Sequence, residues 1–303
     1  ISNPLNPKTA IYAEGKDAVL VFTNDDVSAP VIAKLAGFGV KYILTRSTGT
    51  DQIDLNAAAG FGIKVANIPS YSPQAIAEQS VALAMALSRK LVETVNQSRN
   101  FDFRVEGHVG FNFYGKTVGL VGLGTIGRAT AAIYQGLGCK VLGYDIADQA
   151  IAGIKQVSLE TLFRQADIIS LHAPLSPQTR NLVDKRSIAW MKKGVMLINT
   201  ARGALINTAE VLEGLQSGQI GYLGMDVFED EKGLFFEDHH ADANKHPLLK
   251  ELMTMPNVMI TPHQGFLTHE ALQEIATKII SNLNAWQQNK CMDQTCAYAK
   301  NVR

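Results

Sequence analysis

An arginine, a cluster of carboxylates and a histidine follow three successive apolar runs in the second half of this 303-residue chain. Val195–Ile198 leads into Asn199-Thr-Ala-Arg202-Gly203. Gly221–Met225 leads into Asp226-Val-Phe-Glu229-Asp230-Glu231, and Val258–Thr261 leads into Pro262-His263-Gln264-Gly265. If the runs are parallel strands, their carboxyl ends form one rim, where ligands of open α/β sheets bind. The set suits reduction of a 2-oxo acid. Arg202 can grip a carboxylate through two parallel N–H bonds, and His263 can pass a proton to a carbonyl oxygen. A carboxylate behind an imidazole holds its tautomer and favours its protonated form. Spacing alone leaves Glu229 and Glu231 both open for that place. Taken singly, a strand-end arginine often only caps or pairs, and a lone histidine is more often structural. Three such groups on one rim carry more weight. The remaining histidines, His108, His239, His240, His246 and His269, read as solvated loop or helix residues.

A reduction also needs a hydride donor, and Lys116 to Arg128 supplies a site for one. Thr117 to Val121 reads as a buried strand that runs into Gly122, Gly124 and Gly127, a G-x-G-x-x-G. The first glycine permits the tight turn, the second a close approach of pyrophosphate, the third close helix packing. Thr125 and Ile126 open the helix, whose N-terminal N–H groups and dipole attract phosphate. A second strand, Lys140 to Tyr144, ends in Asp145, about 20 residues beyond the glycines. A carboxylate there accepts both adenosine ribose hydroxyls and repels a 2′-phosphate, so the expected cofactor is NAD rather than NADP. The competing reading is a ligand-free glycine turn and a helix-capping aspartate.

The elements around these groups alternate. Asp17–Phe22, Lys41–Thr45 and Ile63–Asn67 read as strands, with helices at Pro30–Gly37 and Leu55–Phe61. A long helix is predicted from Pro73 to about Arg99. Its wide apolar band suits a domain crossover and subunit contact as well as it suits an ordinary buried helix. Six parallel strands from Val118 to Thr261 make a doubly wound dinucleotide domain. A helix near Thr208–Ser217 stops at Gly218, and an amphipathic helix over Thr268–Gln288 is expected to return to the first domain.

Composition bounds the rest. The chain is 46% hydrophobic and 18% charged, with 28 basic and 28 acidic residues. Zero net charge gives no electrostatic case for nucleic acid or a membrane surface, and no apolar run approaches a membrane span. Cys139, Cys291 and Cys296 make an odd count without metal-ligand spacing. They read as reduced thiols in a cytoplasmic protein, with no metal site expected. No signal peptide is visible. The chain starts at Ile1 without methionine, in the turn-like Ser2-Asn-Pro-Leu-Asn-Pro7.

The sequence resembles the D-isomer-specific 2-hydroxyacid dehydrogenases over essentially its whole length. The likeness rests on Gly122-Leu-Gly-Thr-Ile-Gly127, Ser170-Leu-His-Ala-Pro174, Asn199-Thr-Ala-Arg-Gly203, Asp226-Val-Phe-Glu-Asp-Glu231 and Thr261-Pro-His263. Pro69-Ser-Tyr-Ser-Pro-Gln-Ala-Ile-Ala-Glu78, Leu234-Phe-Phe-Glu-Asp238 and His263-Gln-Gly-Phe-Leu-Thr268 are most similar to the fermentative D-lactate-forming branch. The resemblance implies two doubly wound parallel-sheet α/β domains. One is a Rossmann-type NAD domain over residues 74–266. The other is a flavodoxin-like substrate domain over residues 1–73 and 267–303, lacking at its start a βαβ portion of roughly 30 residues. Missing residues are expected there rather than a natural deletion, which would expose a sheet edge.

The resemblance further implies Arg202 as carboxylate clamp, His263 as acid/base and Glu231, rather than Glu229, as its partner. It puts Thr48 and Gly49 at the substrate carboxylate through backbone N–H groups, and Tyr71 and Phe266 around a small substrate side chain. Ile126 and Asp145 are expected along the adenosine half of NAD. His172, Ala173, Pro174, Thr200, Ala201 and Asp226 are expected along the rest. It implies an active site in a cleft that closes between the domains, and a homodimer or dimer of dimers joined through the long helix. The expected ligand is a small 2-oxo or 2-hydroxy acid. Two alternatives stay open: a relative acting on glycerate, glyoxylate or a larger 2-oxo acid, and an NAD-sensing regulatory binder. Intact Arg202, Glu231 and His263 argue only mildly against the binder.

Overall fold

The computed structural model describes residues 4–148, 150–241, 246–288 and 290. Cys291, Cys296 and the polar tail lie outside the described residues. The chain divides into two compact units, Ile1–Ser72 with Leu267–Arg303, and Pro73–Phe266. Among the described residues no helix is long and apolar enough to cross a membrane.

In the first unit, β1 (Ala18–Val21), β2 (Tyr42–Thr45) and β3 (Lys64–Ala66) form a parallel sheet in that order, with Ala18 opposite Tyr42 and Tyr42 opposite Lys64. Two helices connect them. Pro30 in the first turn suits α1 (Ala29–Gly37), and α2 (Leu55–Gly60) is capped by Asp54, which accepts from Ala57 N–H at 2.9 Å. Val31, Ile32, Leu35, Ile43, Ile63 and Val65 fill the core between them.

The second unit opens with α3 (Pro73–Ser88) and α4 (Leu91–Arg99). The single long helix predicted from Pro73 to Arg99 is therefore two. The break has a long-range cause. Ser88 O accepts from Phe111 N–H at 3.2 Å instead of from the next helical turn. Lys90 takes a left-handed φ of 50° and donates from Nζ to Gly107 O at 2.6 Å. The break also divides the apolar band. Ala77, Leu83, Ala84 and Leu87 of α3 are buried, whereas α4 has no buried residue and exposes Leu91, Val92 and Val95.

Seven parallel strands follow: β4 (Thr117–Val121), β5 (Lys140–Tyr144), β6 (Ile154–Gln156), β7 (Ile168–Leu171), β8 (Val195–Asn199), β9 (Ile220–Met225) and β10 (Val258–Ile260). Their spatial order is β10-β9-β8-β7-β4-β5-β6. Helices α5 (Thr125–Gly136), α6 (Leu159–Gln165), α7 (Lys185–Ile188), α8 (Thr208–Gln216) and α9 (Pro247–Thr254) lie between them in sequence. The sheet has one strand more than the six expected. Ile-Lys-Gln of β6 carries one apolar residue and pairs only with β5, so no apolar run announces it. The central strands are apolar throughout because helices cover both faces of a parallel sheet. Fully burying each of Ile168, Ile169 and Leu171 contributes about 1.5–3 kcal/mol. The chain reverses direction across the sheet between β4 and β7, which puts a switch point at the end of β4.

The last helix, α10 (His269–Gln287), belongs to the first unit. Thr268 caps it by accepting from Ala271 N–H, and Trp286 stacks on Tyr42 of β2 with ring centroids 4.5 Å apart.

Candidate active site

The glycine turn after β4 is built by backbone constraints. Gly122 has φ +96°, and a Cβ there would lie 2.7 Å from Ala173 N and from the His172 carbonyl. A Cβ on Gly127 would lie 2.0 Å from Gly122 O, so only glycine lets α5 start this close to the turn. Gly124 differs: nothing lies within 4 Å of where its Cβ would be. Gly124 is the N-cap of α5 and no side chain caps the helix there, so the first-turn N–H groups at Thr125 and Ile126 face an open, helix-dipole-positive space. Asp145 closes the other side. Its Oδ2 accepts from Leu123 N–H at 2.7 Å and its Oδ1 from Ala147 N–H at 3.0 Å. A carboxylate has about four lone-pair sites, so capacity remains for ribose hydroxyls.

Two polar atoms on the same rim lack partners. The Nε2 of His172, after β7, shares a hydrogen bond of 2.9 Å with Ser170 Oγ, and its enclosed Nδ1 has none. Thr200, after β8, is 7% exposed and its Oγ1 is likewise unpartnered. Burial pushes the His172 imidazole down to about 4, so it is neutral at physiological pH. Unpartnered buried polar atoms are rare in native structures. Here they follow the strands next to the glycine turn, where the space at Gly124 is open, so the residues present fit a dinucleotide. Gly124→Ala should leave the melting temperature unchanged, because its methyl meets no protein atom. It should raise the NADH dissociation constant about tenfold or more by displacing the pyrophosphate. Unaltered NADH affinity in a fluorescence titration would exclude this turn as the phosphate site.

The polar groups after β8, β9 and β10 interlock. Asn199 is fully buried and ties the loop behind it, donating from Nδ2 to Arg202 O at 2.9 Å and accepting at Oδ1 from Ala201 N–H at 3.1 Å. The Arg202 guanidinium donates from Nη1 to Ala201 O at 2.8 Å. Gly203 follows because a Cβ there would lie 2.0 Å from the Phe228 carbonyl carbon and 2.2 Å from Glu229 N. The loop carrying Arg202 thus lies directly against the loop carrying the acids.

Glu231 pairs with the imidazole: its Oε1 lies 2.9 Å from His263 Nδ1, and its Oε2 accepts from Phe228 N–H at 3.2 Å. Glu229 is exposed. The choice that spacing left open therefore falls on Glu231. With Nδ1–H donated to the carboxylate, His263 keeps Nε2 for other chemistry. His263 has φ +52°, rare for a non-glycine residue. Asp226 holds it there. Its Oδ1 accepts from Thr261 Oγ1 at 2.5 Å and Gln264 N–H at 2.9 Å, and its Oδ2 from Gly265 N–H at 2.7 Å. Burial pushes the Asp226 carboxyl above the usual carboxylate range despite these bonds. Asp226, expected along the cofactor, also braces the loop of the histidine through both of its oxygens.

Residues 81–265 match the family model described as D-isomer specific 2-hydroxyacid dehydrogenase, NAD binding domain. The chain belongs to this family. It is 43% identical over 283 residues to the D-lactate dehydrogenase of Escherichia coli strain K12, covering 92% of this chain and 86% of that protein. The structure of the pyruvate reductase of Chlamydomonas reinhardtii superposes with a TM-score of 0.90 at 44% identity, covering 96% of this chain and 88% of that one. A D-lactate dehydrogenase from Aquifex aeolicus, solved with NAD and lactic acid, superposes with a TM-score of 0.86 at 30% identity, covering 95% and 89%. The family makes this chain an NAD-dependent oxidoreductase acting on a small 2-hydroxy or 2-oxo acid.

Within this dehydrogenase Phe266 closes the second unit, while Thr48, Gly49 and Tyr71 lie in the first. The loop after β2 is held from below. Buried Ser47 donates from Oγ to Gly49 O at 2.7 Å, and Asn67 donates from Nδ2 to Thr48 O at 2.7 Å. Two supports escaped sequence reasoning. Asn199 was visible only as a loop residue, although a buried asparagine at a strand end is a signal for a side-chain-to-backbone tie. Gln79 of α3 donates to Thr261 Oγ1 at 3.1 Å and extends the network of Asp226, with no local signal at all.

The other histidines are less uniform than expected. His108 is half-buried, with Nε2 2.5 Å from Gln97 Oε1 and Nδ1 3.8 Å from Glu93. His239 and His246 are half-buried with ring centroids 6.3 Å apart, whereas His240 and His269 are exposed. Among the described residues no group of three His, Cys, Asp or Glu is placed to hold a metal. Cys139 is a free thiol whose Sγ lies 3.3 Å from Phe113 O, and burial pushes it up.

Proposed function

We propose that the chain reduces pyruvate to D-lactate, reversibly, with NADH. The observation that carries this reading is the Glu231–His263 pair, fixed at 2.9 Å on the rim that also carries Arg202 and the glycine turn. Gly122, Gly124, Thr125, Ile126, Gly127 and Asp145 hold the adenosine and pyrophosphate, with His172, Ala173, Pro174, Thr200, Ala201 and Asp226 along the remainder. Bound NADH supplies a hydride to the carbonyl carbon. Arg202 takes the substrate carboxylate by its planar fork, which sets the carbonyl in one orientation. His263 gives its Nε2 proton to the carbonyl oxygen, and Glu231 stabilises the imidazole through the cycle. In lactate oxidation Nε2 takes the proton back. Thr48 and Gly49 join at the carboxylate through backbone N–H groups, and Tyr71 and Phe266 keep the pocket small.

A cytoplasmic homodimer or dimer of dimers is the assembly we infer. The exposed apolar side chains of α4 and of the segment after it, with Phe101 87% and Val109 84% exposed, support a subunit contact. The unpaired Cys139 thiol supports a reducing compartment. Sedimentation velocity reads the assembly directly.

The deciding assay is NADH oxidation with pyruvate, followed by chiral analysis of the product. Rapid turnover to D-lactate is expected. A higher kcat/KM for a branched or hydroxylated 2-oxo acid would reassign the substrate. Negligible turnover with every 2-oxo acid beside normal NADH binding would favour a regulatory NAD binder.

A further inference from the structure

Tyr71 sits in the bend between β3 and α3, and an ion pair on the last helix grips that bend on both sides. Glu274 of α10 accepts from Ser72 N–H at 3.1 Å through Oε2. Lys278, one turn further on, donates from Nζ to Ser70 O. The two side chains are bonded to each other, Lys278 Nζ to Glu274 Oε1 at 2.7 Å. The Ser70 carbonyl belongs to the peptide plane before Tyr71, and the Ser72 N–H to the plane after it. Holding both planes fixes the two soft dihedrals of Tyr71, and with them the direction of its Cα–Cβ bond. Ser72 has φ +32°, outside the regions a serine adopts readily, so the bend persists only because something holds it. All of these residues lie in the first unit.

We propose that Glu274 and Lys278 are positioning residues for substrate selection, acting through the backbone on either side of Tyr71. The inference rests on the reading of Tyr71 as a wall of the substrate pocket and extends it to a pair more than 200 residues away in sequence. The pair is half-buried and joined within one helix at i, i+4, and such pairs contribute little by themselves, so their mutual attraction is a weak account of why this one bridges two backbone groups. The Lys278 ammonium and the Ser72 amide hold the Glu274 carboxyl below its ordinary value. The NAD-holding residues lie in the second unit, so NADH affinity serves as the control readout.

The test uses the full chain with NADH and measures pyruvate reduction in Glu274→Ala, Lys278→Met, Tyr71→Ala and the double variant Glu274→Ala with Tyr71→Ala. Both α10 variants are expected to raise the KM for pyruvate about five- to tenfold with kcat within about twofold. Preference for pyruvate over 2-oxopentanoate should fall by a similar factor. NADH affinity should stay constant, and the melting temperature should move by about 2 °C at most. In the Tyr71→Ala background, Glu274→Ala should add less than about twofold, because interacting residues are not additive.

Three results would overturn the proposal. In the first, Glu274→Ala raises KM equally with and without Tyr71. In the second, kcat and NADH affinity fall together, as general loosening would cause. In the third, Tyr71→Ala raises KM while neither α10 variant does. If Tyr71→Ala itself leaves KM and selectivity unchanged, the pocket-wall reading of Tyr71 fails first and the proposal with it. Lys278→Met releases the opposite side of the bend, so the test survives if Glu274→Ala folds poorly.

Discussion

Removing the imidazole of His263 is expected to lower kcat by about 10² to 10⁴ while NADH affinity stays within about twofold. The expectation follows from which nitrogen is committed. Nδ1 is 2.9 Å from Glu231 Oε1, so the proton available to a substrate oxygen is the one on Nε2. His263→Ala removes both, but it also changes a residue at φ +52°, where alanine gains nothing. His263→Asn is the better variant, since asparagine tolerates this region. Equal losses in the two variants point to the chemistry, and a loss in the alanine variant alone points to the loop. Glu231→Gln should fall between wild type and His263→Asn, because an amide still orients the ring but no longer stabilises its charged form. Single-turnover kinetics separate the chemical step from substrate binding. Retained turnover in His263→Asn would remove the residue from the proton-transfer role.

What the sequence reveals and what it hides divide along the range of the interactions. Gly122, Gly127 and Asp145 are legible because each answers a local demand: a positive φ, a close approach, a carboxylate at a strand end. The strands β4, β7 and β8 are legible because both faces of a parallel sheet are covered and the runs stay apolar. The short edge strand β6 carries no such signal. The break between α3 and α4 is invisible because Ser88, Arg89, Lys90 and Leu91 are ordinary helix residues, and Phe111 imposes the break from 23 positions away. The same holds at the site. Spacing could not choose between Glu229 and Glu231, because an irregular turn decides which carboxylate reaches the imidazole. The bracing role of Asp226 has no local signal, because its three side-chain bonding partners come from residues 35 to 39 positions later. Glu274 and Lys278 carry no local signal within their amphipathic helix, and only folding brings them to the bend around Tyr71.

Gly203→Ala is expected to damage this enzyme nearly as badly as loss of the histidine, without touching any reacting group. The added methyl carbon would lie 2.0 Å from the Phe228 carbonyl carbon and 2.2 Å from Glu229 N. All three nearest atoms are backbone, so no side chain can rotate away. One of the two loops must therefore retreat. The loop before Gly203 carries Arg202, which is tied to buried Asn199 at 2.9 Å. The loop it strikes carries Glu231, whose Oε2 is bonded to Phe228 N–H at 3.2 Å. Separation by about an ångström moves Arg202, proposed above to hold the substrate carboxylate, relative to the Glu231–His263 pair, and a misplacement of that size costs on the order of 10² in rate. Overpacking of this kind also destabilises by about 1–3 kcal/mol, which lowers the melting temperature by roughly 2–4 °C for each kcal/mol in a domain of this size. The two consequences can be separated. Measured well below the transition, kcat/KM for pyruvate should fall about a hundredfold while NADH affinity changes little, since the glycine turn after β4 is untouched. If Gly203→Ala instead lowers the melting temperature but keeps full activity in the folded fraction, the packing of these loops does not align the catalytic groups. Glycine at this position would then serve folding alone.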